Sequence, residues 1–196
     1  MSNILKNNEA KEIEVLIQFN EKLDPIDVED YYEEPLEEFL NENGYGEIVG
    51  GGTMQSPTGE IEFFDIQVLI YDSNYTMKIV DEIKMKLESL GAPKGSFIEI
   101  EGKEEKISFG KREGLAIYLD GVNLPENVYK ECDSNYVVSE IFRLIGCNDD
   151  IIRFWEGDTE TAIYFYGESF DNMKRDIFEF VNTYPLCKGA RIVQIA

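Results

Sequence analysis

Two blocks of this chain recur near its end. YDSNYTMK at 71–78 is echoed by YGESFDNMK at 166–174, and APKGSFIEI at 92–100 by LCKGARIVQI at 186–195. Their spacing is nearly preserved, with 17 positions from Met77 to Lys94 and 15 from Met173 to Lys188. A match over a few short blocks supports two halves of similar architecture more firmly than common descent. At 196 residues, 43% of them hydrophobic, there is enough chain for one good core or two small ones.

The hydrophobic periodicity inside each half names the unit. In the first half, residues 13–19 alternate Ile13, Val15, Ile17 and Phe19 with Glu14, Leu16 and Gln18, which predicts a strand. Residues 35–44 predict a short helix, with Pro35 at its first position, Leu36, Phe39 and Leu40 on one face, and Gly44 as the stop. Strands follow at 46–53 and 60–71 around the turn QSPTGE, then a helix from Asn74 with Ile79, Val80, Ile83, Leu87 and Leu90 at helical spacing, then the strand GSFIEI. The second half repeats the order: LAIYL at 115–119, a helix capped by Asp133 or Ser134, a hairpin from IIRFW and TAIYFY, a helix capped by Ser169, and RIVQI at 191–195. Each half therefore reads β-α-β-β-α-β. The predicted fold class is α+β, with two tandem ferredoxin-like units, each an antiparallel sheet with its helices on one face. The units are expected at 1–104 and 113–196, with 105–112 as a charged, apolar-poor linker. Runs such as Val68-Leu69-Ile70 and Ile163-Tyr164-Phe165 are apolar on both strand faces, so the second sheet faces are expected to be partly covered, each half by the other.

Charge bounds the partners. The chain carries 40 Asp and Glu against 18 Lys and Arg, a net charge of −22. The imbalance is concentrated: residues 23–77 hold fourteen acids and no lysine or arginine. Nucleic acid and anionic membrane surfaces would be repelled. Basic proteins, basic ligands and hard cations remain. The start lacks the apolar core and cleavage site of a signal peptide, and no stretch approaches 18 apolar residues. Three cysteines outside any CxxC spacing fit reduced thiols, so a cytoplasmic location is expected.

Catalytic constellations are scarce. With no histidine, the commonest general base and transition-metal ligand are missing, and Ser-His-Asp and Cys-His sites cannot be built within the chain. Gly50-Gly51-Gly52-Thr53 lacks the lysine and the following helix of a phosphate loop, and reads as a place where a backbone or helix approaches closely. The acids around 147–150 and 156–158 do not fit a calcium loop and are accounted for by turn chemistry. Lys94-Gly95 and Lys188-Gly189 read as matching turns with glycine at positive φ. No cofactor, metal or catalytic residue is assigned, and a non-enzymatic role is expected.

The strongest site candidate is DPIDVEDYYEEPLEE at 24–38, with Asp24, Asp27, Glu29, Asp30, Glu33, Glu34, Glu37 and Glu38 around Tyr31 and Tyr32. Glu33/Glu37 and Glu34/Glu38 are spaced i,i+4, and each like-charge pair on a helix costs about 0.2–0.5 kcal/mol. Tyrosines inside a charged rim have the composition of an interface, whereas a solvated acidic loop with the tyrosines packed beneath it is the bland alternative.

GGGT…GEIEFFDI, LGAPKGS and ETAIYFYG…YPLCKGARIV resemble a group of acidic bacterial proteins that are similar to immunity proteins of bacterial toxin systems. The resemblance implies a protein that neutralises a toxin by binding it. It carries no site residue across, because residues 24–38 lie outside these motifs. Together these readings predict a protein-binding module that occludes a basic, nuclease-like toxin. The alternative is a regulatory tandem βαββαβ protein sensing a small molecule between its units or at the Gly50–Gly52 rim.

Overall fold

The computed structural model describes residues 11–147 and 151–196. The first unit contains β1 (Ile13–Phe19), α1 (Pro25–Val28), α2 (Glu34–Asn43), β2 (Gly46–Gln55), β3 (Ile61–Ile70), α3 (Thr76–Ser89), β4 (Ser96–Ile100) and β5 (Ile107–Phe109). The second contains β6 (Glu113–Asp120), α4 (Glu126–Glu131), α5 (Ser134–Ile145), β7 (Arg153–Glu156), β8 (Glu160–Gly167), α6 (Phe170–Thr183) and β9 (Arg191–Gln194). Sheet orders are β2-β3-β1-β4-β5 and β7-β8-β6-β9, with every described strand pair antiparallel. In both sheets the unit's first strand lies between its third and fourth, and its second at the edge, which is the ferredoxin-like arrangement.

Register explains the first core. Ile17 pairs with both Ile66 and Ile98, and Val15 with Val68 and Ile100, so one face of the sheet is aliphatic. Leu36 and Leu40 from α2 and Ile79, Val80, Ile83 and Leu87 from α3 bury against it. The second unit repeats this with Leu115, Ile117, Ile163 and Phe165 under Val137, Ile141, Met173 and Ile177.

Three expectations change. The first helical segment begins at Pro25, not at Pro35, capped by the Asp24 carboxylate on the amide of Ile26. Its dihedrals stay right-handed through a π-helical turn at Glu29–Glu33 and on into α2. The Glu34 amide bonds back five residues to the Glu29 carbonyl. A proline in an α-helix clashes with the carbonyl four residues earlier and lacks an amide, and a widened turn relieves both problems at Pro35. Second, the expected linker 105–112 contains β5, which pairs with β4 and buries Phe109 against Phe19, ring centroids 5.5 Å apart. Third, α4 precedes α5, in a stretch to which the sequence pattern assigned no element. The acids at 148–150 lie outside the described residues.

The two sheets remain separate. The helix-free face of the second sheet, where Ala116, Ala162, Tyr164 and Tyr166 are buried, packs on the end of the first unit where β1 leaves its sheet and β2 turns into β3. The expected cover is thus present for the second sheet. On the helix-free face of the first sheet, Leu16, Leu69 and Phe97 are only half-buried.

Candidate functional site

The π-helical turn and α2 set out the acids of residues 24–38. Glu29, Glu33, Glu34, Glu37 and Glu38 line one shallow concavity with Pro35 and Asn41. Among the described residues, no lysine or arginine lies within ion-pair distance of any of these five carboxylates. Partial burial, then the charges of Glu29 and Glu37, raise the Glu33 pKa above its ordinary value. Asp24 and Asp27 stand on the first turn, further along the same continuous run, and Asp30 is exposed. Asp27 is raised by burial and by Asp24, with Arg153 acting in the opposite direction.

Helix stability does not explain this arrangement. A helix macrodipole favours acids at its N-terminus and cations at its C-terminus. Asp24, Asp27 and Glu29 satisfy the first half of that rule. Glu38 and Glu42 occupy the opposite end, and the last turn of α2 has no basic residue.

The two tyrosines separate. Tyr31 is at the surface, whereas Tyr32 is 3% exposed and belongs to the core. Its ring lies 4.5 Å from Phe19 and 5.6 Å from Phe64, and its hydroxyl donates to the Glu21 carboxylate at 2.6 Å. Burial, then Glu21, hold its pKa well above the usual tyrosine range. Tyr32 is therefore no surface anchor. Its neighbour carries the exposed ring because successive helical residues point about 100° apart.

A polar joint that the sequence reading missed connects the units. Arg153, from β7, places Nη2 2.8 Å and Nε 2.9 Å from Glu21 Oε1, with both side chains buried. Tyr118 and Tyr164 donate to Glu60 at 3.0 and 2.8 Å, and Lys22 Nζ lies 3.7 Å from the same carboxylate. The Tyr166 hydroxyl accepts from the Lys22 amide, and Trp155 Nε1 donates to the Thr58 carbonyl. Burial and then Glu60 push the Tyr118 phenol up to about 12 and Tyr164 further still. The signal was present in β8, where Tyr164 and Tyr166 alternate with Ile163 and Phe165: polar-tipped rings on one face, purely apolar groups on the other.

A cleft at this joint is lined by Lys22, Asp24, Asp27, Arg153, Trp155 and Tyr164, among others. Its two cations are already engaged with Glu60 and Glu21. At the glycine-rich rim, a Cβ on Gly51 would lie 2.6 Å from the Asp65 carbonyl and 3.5 Å from Glu33 Oε1, so this glycine admits a close approach by its own sheet and helix. Gly95 and Gly189 both have positive φ, +86° and +79°, as matching turns require. Cys132, Cys147 and Cys187 are free thiols, and burial followed by Cys132 raises Cys187 to about 11. Among the described residues there is no group of three or more Cys, Asp or Glu suited to a metal, and no helix long and apolar enough to cross a membrane.

No protein-family model matches the chain, and no curated protein matches it. The solved structures that match include two similar over nearly its whole length. An unknown protein from Galdieria sulphuraria is 14% identical, with 95% of this chain and 98% of that one covered and a TM-score of 0.27. The first two RRM domains of yeast poly(U)-binding protein are 13% identical, with 93% and 99% covered and a TM-score of 0.23. At these TM-scores neither similarity carries weight, and the fold assignment rests on strand order and register.

Proposed function

We propose that this chain is a non-enzymatic binding protein of the immunity type, which occludes a basic, nuclease-like toxin with the acidic face of its first unit. The observation that carries the reading is the concavity of five carboxylates without a neighbouring cation among the described residues. Such a surface holds like charges together at a cost that helix stability does not offset. A basic partner would offset it, because its lysines and arginines would pair with Glu29, Glu33, Glu34, Glu37 and Glu38. Those same cations would then be unavailable for phosphates. Asp24, Asp27, Asp30 and Tyr31 extend the face; Tyr32 supports it from below. Complementary charge would also speed encounter.

The test is capture from a cell lysate with elution by a salt gradient, run beside the variant Glu33→Lys, Glu34→Lys, Glu37→Lys, Glu38→Lys. The reading predicts a basic protein that elutes at moderate salt and is lost by the variant. A partner retained equally by the variant contradicts it. A thermal-shift screen separates the sensing alternative, which requires a metabolite that raises the melting temperature by several degrees.

A further inference from the structure

One edge of the first sheet is unlike the other sheet edges among the described residues. β5, β7 and β9 have 3, 4 and 4 residues, whereas β2 has ten. Edge strands are ordinarily kept from pairing with other chains by shortness, lysine, proline or a bulge. β2 contains no lysine and no proline. A bulge interrupts it between Ile48 and Gly50, and a second irregularity follows Met54, but Gly50–Met54 keeps unbroken register with β3 from Gln67 to Phe63.

The groups left unpaired on this stretch follow from the ladder. At its start the Tyr71 amide donates to the Tyr45 carbonyl. Alternate residues of an antiparallel strand bond to the same neighbour, so Leu69, Gln67, Asp65 and Phe63 face β2 as Tyr71 does. Their partners Gly50, Gly52 and Met54 turn inward, and the N–H and C=O of Gly51 and Thr53 point away from the sheet. Among the described residues, no side chain or loop backbone bonds these outward groups. Gly51 is exposed and Thr53 half-buried.

The edge also adjoins the acidic face. Gly51, Gly52 and Thr53 line a shallow cleft with Pro25, Val28 and Glu33. Glu33 lines the concavity of five carboxylates as well, so it belongs to both. Its Oε1 lies 3.5 Å from where a Cβ on Gly51 would stand, which puts that charge beside the outward groups.

We propose that Gly50–Met54 takes an extended, basic segment of a partner protein as an added strand of the first sheet, its main chain bonding Gly51 and Thr53 and its lysines or arginines reaching Glu33. The proposal rests on the binding role above and names how the partner is held: the acids draw it in and backbone pairing fixes it. Charge selects this occupant over a second copy of the chain, since two copies would bring together two segments of fourteen acids with no lysine or arginine.

The probes are two short peptides of alternating lysine and valine, identical in sequence and charge. One has free amides; the other is N-methylated at its two central, adjacent residues, which blocks pairing along both of its edges. At low salt the free-amide peptide should bind about tenfold more tightly or better, and amide exchange followed by NMR should slow at Gly51 and Thr53. Thr53→Pro removes one outward amide at an edge position, where proline is tolerated, and should remove most of that preference. Its melting temperature is checked alongside, and the N-methylated peptide makes the same test on the unaltered protein. The fourfold Glu→Lys variant should weaken both peptides. Equal binding of the two peptides with unchanged exchange at Gly51 and Thr53 overturns strand addition and leaves the acidic-face reading standing. Binding of neither also overturns strand addition, and the acidic face is then judged by the lysate capture. Exchange at these amides that slows without peptide as protein concentration rises, with a dimer in sedimentation, makes a second copy the occupant and overturns the proposal.

Discussion

Replacing Arg153 with alanine should be among the most damaging single changes in this protein. Its guanidinium and the Glu21 carboxylate are 5% and 2% exposed and lie 2.8 Å apart. Glu21 keeps the Tyr32 hydroxyl in the variant but loses the charge that offsets its removal from water. Breaking a buried ion pair by deleting one partner costs about 3–5 kcal/mol. An exposed pair of the same length would cost about 0–1 kcal/mol. Urea unfolding at neutral pH, followed by circular dichroism, should therefore show a fall in midpoint worth about 3 kcal/mol or more. The double variant Glu21→Gln, Arg153→Met should recover much of this, because no unpaired charge remains and glutamine can still accept from Tyr32. A loss below about 1 kcal/mol for Arg153→Ala would refute the reasoning, since it would mean that water reaches Glu21 and the units are not joined through a dry contact.

Glu33→Gln should stabilise the protein at pH 7 by about 0.5 kcal/mol, by removing a charge that partial burial, and then Glu29 and Glu37, disfavour. Because the folded-state pKa of Glu33 is raised above its ordinary 4.5, the cost of its charge builds up as pH rises through and above that value. Unfolding curves of the two proteins should accordingly converge at pH 3, where Glu33 is protonated whether folded or not; a gain that persists there would contradict the assignment. Phe109→Ala should cost about 3 kcal/mol, because β5 is part of the first core rather than a tether. A cost near zero in thermal unfolding would return residues 107–109 to a linker.

Period-2 alternation located the core strands because each is buried mainly on one face, as in β1 with Val15, Ile17 and Phe19 inside. Helix ends with strong local chemistry were equally legible: Asp133 and Ser169 cap their helices, and Gly44 and Gly146 close theirs with left-handed dihedrals. The true start of the first helical segment was hidden because Pro35 mimics an N-terminus, and only the π-helical turn allows the chain to pass through it. β5 was hidden because two apolar residues in a charged run give too little periodicity; it is held by pairing with β4. The acids at 24–38 were legible as a cluster, but Tyr31 and Tyr32 could not be assigned to opposite sides until the helix was known to cover them. The joint was least legible of all. Glu21 and Arg153 are 132 positions apart, and nothing local in either segment points to the other.

The central claim is that the first unit meets a basic protein through its acidic face, and the association rate with the captured partner tests it most directly. Stopped-flow mixing between about 0.05 and about 0.5 M salt should show a rate that falls by tenfold or more as the Debye length shrinks. The fourfold Glu→Lys variant should associate slowly at every salt concentration. A rate that is fast and insensitive to salt, or a variant that associates as quickly as the parent, would contradict the account.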